Sequence, residues 1–281
     1  MNDALARKQQ ALRDYLQELS SVAVAFSGGV DSTYLLYAAH TVLGASAVAY
    51  TARSVFVPGH DVAEAADFCQ ARGIEHHIIE YDPLAHSDIV VNPPDRCYIC
   101  KKNLFSTLLE LAQERGLAHV ADGANLDDDG DYRPGRQATQ ELGIVSPLHA
   151  AGLTKNDIRQ LAKAAGLTAW NKPASACLAT RFPYGETLTA ERLARVDRAE
   201  DYLRTLGFRQ LRVRTHGELA RIELTAADIA RLQDDSLRAT IVSTLKEYGF
   251  AYVTLDLAGY HTGSMNDALS PEVLAKHSKQ D

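Results

Sequence analysis

The run Ala25-Phe26-Ser27-Gly28-Gly29-Val30-Asp31-Ser32-Thr33 sets three hydroxyls and one carboxylate around two adjacent glycines. Gly28 and Gly29 permit a tight turn with bare backbone N–H groups. Together with the positive end of a following helix, those donors make an anion site. Ser27, Ser32 and Thr33 can donate to phosphate oxygens, while Asp31 or Ser32 could instead cap the helix. A carboxylate beside phosphates is repulsive alone, so Asp31 implies a Mg2+ ion between them. No Gly-Lys-Ser/Thr follows at the Walker spacing, so this is a different kind of phosphate loop.

Three further groups of residues could act with it. Asp122-Gly123-Ala124-Asn125 offers a glycine for close backbone approach and, in Asn125, a side chain able to bond a ligand. Arg53 could lie beside adenosine or phosphate or be a plain surface arginine, and Asp127-Asp128-Asp129 reads as solvated loop rather than metal site, though Asp127 could be drawn in. Arg212, Arg214 and His216 alternate with Leu211, Val213 and Thr215. On a strand that puts the basic residues on one face, with Leu211 and Val213 turned to the core. Adjacent arginines want an anion between them, a phosphate or a carboxylate. Glu218 or Glu223 could supply it, and Glu200 and Glu223 read as ion-pair partners or weak metal ligands.

The cysteines form the fourth group. Asp95 reads as the N-cap of a helix, which places Cys97 and Cys100 on one face of its first turn. A helix N-terminus favours thiolates. Cys177 stands far off, in a stretch rich in Pro, Cys and Arg that spans residues 171–185. A C-x-x-C pair with one remote cysteine fits a zinc site, a redox disulfide, a three-cysteine iron–sulfur cluster or inert thiols. Cys69 falls in an apolar helical pattern and reads as core.

The elements that must position these residues alternate. Leu5, Leu12, Leu16 and Leu19 stripe one helix. Strands are predicted at 22–26, 45–51, 75–81 and 118–122, with helices after the phosphate loop and at 62–72 and 96–115, and a loop at 82–94. This pattern predicts an α/β parallel sheet with helices on both faces. Ligands then bind beyond the C-terminal strand ends, where the loop, Thr51-Ala52-Arg53 and Asp122-Gly123 all lie. Thr154 is expected to cap a helix ending at Gly166. A smaller α+β unit follows, with helices at 189–206, 226–233 and 236–248 and strands at 209–215, 219–224 and 252–257. The expected domains are 1–185 and 186–281, with a polar, partly mobile tail after Gly263.

Composition narrows the class. At 281 residues, 46% hydrophobic and 23% charged, the chain reads as an ordinary globular protein. No apolar run approaches the roughly 20 residues of a membrane span, and the polar start resembles no signal peptide. Four cysteines do not make a disulfide scaffold, so a reducing cytoplasm is expected. A net charge of −7 counts against a broad nucleic-acid surface.

Ser27 to Thr33 resembles the PP-loop of the ATP-pyrophosphatase superfamily. That resemblance implies cleavage of ATP between the α and β phosphates, adenylation of an oxygen, and displacement of AMP by nitrogen or sulfur. Further stretches tighten the match to the LarE family of ATP-dependent sulfur transferases: Asp95 to Lys102, Asp131-Tyr132-Arg133-Pro134-Gly135, Arg181-Phe182-Pro183-Tyr184-Gly185, Arg212-Val213-Arg214 and Tyr252 to Leu257. The family resemblance implies adenylation of pyridinium-3,5-biscarboxylic acid mononucleotide and its conversion to a thiocarboxylate. The product serves the nickel-pincer nucleotide cofactor of lactate racemase-like enzymes. It also implies that Arg212 and Arg214 hold the substrate phosphate and that Lys101 and Arg181 lie near the reacting groups. One kind of family member sacrifices the sulfur of a single cysteine, here Cys177. The other holds a 4Fe-4S cluster on three cysteines, here Cys97, Cys100 and Cys177, and is reloaded by external sulfide. The C-x-x-C pair favours the second kind. A trimer or hexamer is the family's usual assembly. A tRNA thiolase would share the loop but should show a basic surface or zinc appendage; an amide-forming ligase would lack the cysteines; a non-catalytic nucleotide-binding module would not need Asp31 and Lys101.

Overall fold

A computed structural model describes residues 3–130, 134–173, 175–261, 263–266 and 269. The expected tail after Gly263 lies mostly outside them. In chain order the elements are α1 (Asp3–Leu19), β1 (Val22–Ala25), α2 (Val30–Leu43), β2 (Ala47–Arg53), α3 (Gly59–Gln70), β3 (His76–Glu80), α4 (Ser87–Val90), α5 (Arg96–Glu114), β4 (His119–Ala121), α6 (Pro134–Glu141), α7 (Pro147–Ala150), α8 (Lys155–Ala164), α9 (Ala190–Thr205), β5 (Leu211–His216), β6 (Leu219–Leu224), α10 (Ala226–Arg231), α11 (Asp235–Glu247) and β7 (Tyr252–Leu255).

The chain divides into two compact units. The first holds residues 3–81 and 95–175; the second holds 82–94 and the described residues from 176 onward.

In the first unit four strands run parallel in the order β3-β2-β1-β4. β1 reads Val-Ala-Val-Ala, and Val22, Ala23 and Val24 are fully buried. Its alternate residues feed two cores. Val22 and Val24 pack with Leu12, Leu16, Leu35 and Leu36 of α1 and α2, and with Ile158 and Leu161 of α8. Ala23 packs with Phe105, Leu108 and Ala112 of α5. Both faces of the sheet are therefore covered, as parallel strands require. The Leu5, Leu12, Leu16 and Leu19 stripe is buried as its spacing predicts; each such leucine removed from water contributes about 1.5–3 kcal/mol. α2 is buried nearly all round, which fixes the phosphate loop from behind. Strand order reverses between β1 and β4, so the crevice for a ligand opens at their C-terminal ends.

The second unit carries a mixed sheet in the order β5-β6-β7, antiparallel then parallel. Leu193, Val196 and Leu203 of α9 and Leu211 and Val213 of β5 are buried in it. The segment 82–94 is not the plain loop expected: it forms a 3-10 turn at Pro83–Ala85 and the single-turn α4. It is knitted to residues much later in the chain. Buried Asn92, at φ +51°, donates its amide to the Pro183 carbonyl at 2.7 Å. Gly185 N–H donates to Asn92 O and Leu188 N–H to Val90 O, both at 2.9 Å. Among the described residues no helix is long and apolar enough to cross a membrane.

Candidate active site

The phosphate loop joins β1 to α2. Gly28 takes φ +69°, a conformation glycine adopts without strain. The N-cap of α2 is Gly29, and no side chain caps it. Neither Asp31 nor Ser32 supplies the cap that the sequence allowed. The loop is instead closed by its own hydroxyls. Ser32 Oγ donates to Gly29 O at 3.2 Å, Ser27 Oγ lies 3.1 Å from Ser32 Oγ, and Gly29 N–H reaches Ser27 Oγ at 3.5 Å. With its hydrogen spent on Gly29, Ser32 accepts from Ser27. Thr33 N–H closes the first helical bond on Gly29 O.

Around this loop the other strand ends converge. A Cβ on Gly123 would sit 3.1 Å from Ser32 N and 3.4 Å from Asp31 Cβ, so any side chain there would press β4's exit against the backbone at the start of α2. Gly123→Ala is expected to weaken ATP binding about 5- to 150-fold, because overpacking here must displace loop backbone. Unchanged affinity in calorimetry would show that the closeness carries no function. Asp122 accepts from Ser146 Oγ at 2.7 Å and from Ala124 N–H at 3.1 Å. Asn125 Oδ1 accepts from Asp127 N–H at 3.0 Å, so it organises its own turn, and Asp127 in turn accepts Lys155 N–H at 2.8 Å. Thr51 is buried and donates to Phe26 O at 2.7 Å, holding the end of β1. Its oxygen lies 2.8 Å from His76 Nε2, and burial lowers the His76 pKa. Arg53 is turned to solvent and donates to Glu80 at 2.6 Å across β2 and β3.

Two lysines that sequence reasoning missed flank the loop. Lys155, the first residue of α8, forms an ion pair with Asp31. Lys172 donates to Gly28 O at 3.2 Å, Asp61 at 2.9 Å and Glu64 at 2.7 Å. Asp61 is buried at the start of α3 and also accepts Ser175 Oγ at 2.5 Å. Burial would raise its pKa, but the Ser175 and Lys172 bonds hold it below the usual carboxylate value.

α5 carries the cysteine pair. Cys97 and Cys100 are half-buried, neither is in a disulfide, and they lie one turn apart as expected. Asp95 is the N-cap by position, yet its side chain makes no capping bond, against the sequence expectation. Arg96, almost fully buried, donates toward Cys97 Sγ at 3.8 Å. Lys101 lies beneath α6: a Cβ on Gly135 would meet Lys101 Cδ at 2.7 Å and Cys97 O at 3.2 Å. Cys69 is core, its thiol pushed up to about 12 by burial.

In the second unit the arginines are not on a solvated face. Arg181, Arg212 and Arg214 are all buried, as are Glu200 and Glu223. Arg181 grips Glu200 through Nε and Nη2, at 2.8 and 2.9 Å, and gives Nη1 to Ala176 O, Cys177 O and Thr180 Oγ1. Val213 N–H also donates to Glu200, at 3.0 Å. Burial would raise the Glu200 pKa, but Arg181, then Arg212 and the Val213 N–H, bring it down to about 2. Arg214 grips Glu223 at 2.7 and 3.1 Å and reaches Thr180 O and Ser264 Oγ, each at 2.6 Å. Arg212 lies opposite Glu223 in the β5–β6 register, donates to Leu211 O at 2.7 Å and stands over the Tyr260 ring. The glutamate pairing that the spacing allowed is therefore present. Period two could not reveal that β5 is covered on both faces, with only His216 exposed at its end. Three buried guanidiniums against two buried carboxylates leave positive charge in excess, a setting for an anionic ligand.

No protein-family model matches the chain. A pyridinium-3,5-bisthiocarboxylic acid mononucleotide synthase of Lactiplantibacillus plantarum is 43% identical over 272 residues, covering 96% of this chain and 98% of that protein. The chain belongs to that synthase's family, the LarE family. An uncharacterised protein of Synechocystis is 44% identical over 266 residues, covering 95% of this chain and 99% of that one. At greater distance, a tRNA-specific 2-thiouridylase of Rickettsia felis is 27% identical over 192 residues, 56% of this chain and 53% of that protein. This LarE-family chain is thus an ATP-dependent sulfur transferase built on the PP-loop fold. Of its family stretches, Asp131, Tyr132 and Arg133 lie outside the described residues, as does Ala174 beside Ser175.

Proposed function

We propose that this enzyme adenylates a carboxylate of pyridinium-3,5-biscarboxylic acid mononucleotide and converts it to a thiocarboxylate, for a nickel-pincer nucleotide cofactor. The observation that carries this reading is the near full-length match to the Lactiplantibacillus synthase. The geometry supports it at two points. The uncapped start of α2, with Ser27, Ser32 and Thr33 in the loop, suits ATP phosphates. The strand ends at Ala25, Thr51, Arg53, Gly123 and Asn125 would border the nucleotide. Asp31 would hold Mg2+ against the phosphates in exchange for Lys155. The surplus charge around Arg212 and Arg214 suits the substrate's own phosphate, with Lys101 and Arg181 serving the reacting carboxylate.

The sulfur source is assigned to Cys97, Cys100 and Cys177, which would hold a 4Fe-4S cluster. Their fit rests on donor chemistry: all three are half-buried thiols outside any disulfide, whereas Cys69 is sealed in the core. When bound, such a cluster supplies an open iron able to carry exchangeable sulfide. The protein's own part is to hold the acyl-adenylate and keep water from it.

The test is direct. Anaerobically purified enzyme, given ATP and the pyridinium mononucleotide, should yield AMP and pyrophosphate; ADP and phosphate would refute the assignment. Iron and sulfide should be found, and replacing Cys97, Cys100 or Cys177 should remove both and stop repeated turnover. Dehydroalanine at Cys177, read as loss of one sulfur and two hydrogens, would establish sacrificial transfer instead.

A further inference from the structure

We propose that Lys172 is the positioning residue of the phosphate loop, held for that task by Asp61, and that it sets the loop peptide which receives ATP. The inference rests on ATP use at this loop and adds a residue that lies far from it in the chain.

The geometry is specific. An ammonium has three hydrogens, and Lys172 has three acceptors: Gly28 O, Asp61 Oδ1 and Glu64 Oε2. Gly28 is the residue at φ +69°, so its carbonyl direction decides where the next N–H, that of Gly29, can aim. Locking that carbonyl locks the peptide. The lysine is itself anchored on every side. Its backbone N–H donates to Ala169 O at 3.0 Å, and its carbonyl accepts Arg159 Nη2 at 3.0 Å. Asp61 is almost fully buried, tied through its other oxygen to Ser175 Oγ. An ion pair with one partner buried is little screened by solvent and keeps its direction. Of the three acceptors only Glu64 is exposed, so it is the dispensable one.

A second consequence follows from chain order. Lys172 and Ser175 both converge on Asp61, and Cys177 is two residues beyond Ser175. Asp61 thus ties down the chain just ahead of Cys177 as well as holding the lysine at the ATP loop.

The experiment is equilibrium binding of ATP and adenosine to the full chain, without turnover. Lys172→Met, which keeps length and removes charge, is expected to weaken ATP binding at least tenfold, roughly one charged hydrogen bond, with adenosine affinity held within about twofold. Lys172→Arg should recover most of the loss. Lys163→Met, which removes only the cation stacked on Trp170, should behave as wild type. ATP affinity unchanged in Lys172→Met, or ATP and adenosine lost equally, would overturn the proposal and leave the lysine a plain structural strut. If that variant does not fold, Asp61→Asn gives the same reading, since it releases the lysine while keeping the side-chain shape. A wild-type enzyme that binds ATP yet makes no AMP would overturn the proposed reaction while leaving this comparison intact.

Discussion

Asp31→Asn is expected to abolish formation of AMP and pyrophosphate, with a fall on the order of 100-fold or more, the scale for losing one cation, here the Mg2+ that Asp31 would hold, from a reacting phosphate. Asn keeps the shape but not the charge, so it forms no ion pair with Lys155 and is only a weak, neutral ligand for Mg2+. The fold should survive. The Asp31–Lys155 pair is partly exposed, and such pairs contribute at most about 1 kcal/mol. The check is single-turnover AMP production against magnesium concentration, with thermal unfolding in parallel. Raising magnesium should recover little, since no carboxylate remains to bind it. Activity within a few fold of wild type, at any magnesium level, would remove Asp31 from the mechanism.

The second large effect is on stability. Glu200→Gln is expected to cost about 3–5 kcal/mol, because it strands the buried Arg181 charge. The pair is sealed, with side chains 1% and 0% exposed. Its pH dependence has a fixed sign. Glu200 is held at about 2 in the folded protein, below the ordinary glutamate value of 4.5. A lowered carboxylate pKa stabilises above the ordinary value, and that stability is lost as pH falls toward about 2. The shift corresponds to about 3 kcal/mol. Urea unfolding should therefore show wild type and Glu200→Gln far apart at pH 7 and closer at pH 3. A gap that stays constant between those pH values would mean that Glu200's charge does not stabilise the fold.

What the chain's letters reveal depends on how local the cause is. The leucine stripe of α1, the apolar β1 and the Thr154 cap were legible because each is written within a few residues. Thr154 indeed makes a full capping box with Asp157. The phosphate loop was legible because two glycines between a strand and a helix have few other uses. Lys155 and Lys172 were not, since they reach Asp31 and Gly28 across 124 and 144 residues. α6 and α7 escaped notice: the first opens at Pro134 beside the undescribed 131–133, and the second is a single turn. Arg212 and Arg214 were rightly set on one face, but alternation says nothing about what covers a face. Their glutamate partners were named from charge; their burial was not foreseen.

The buried Asn92 has a consequence in time. Its amide waits for Pro183, 91 residues later in the chain. A ribosome adding about 5–20 residues per second leaves that gap open for roughly 5–20 s. Throughout that interval Ile89 and Asn92, both destined for full burial, have emerged without the carbonyls and N–H groups of 182–188. The nascent chain must therefore carry an unfinished patch past the synthesis of about half of the ATP-binding unit, and the earliest moment at which it can close is set by translation rate rather than by local propensity.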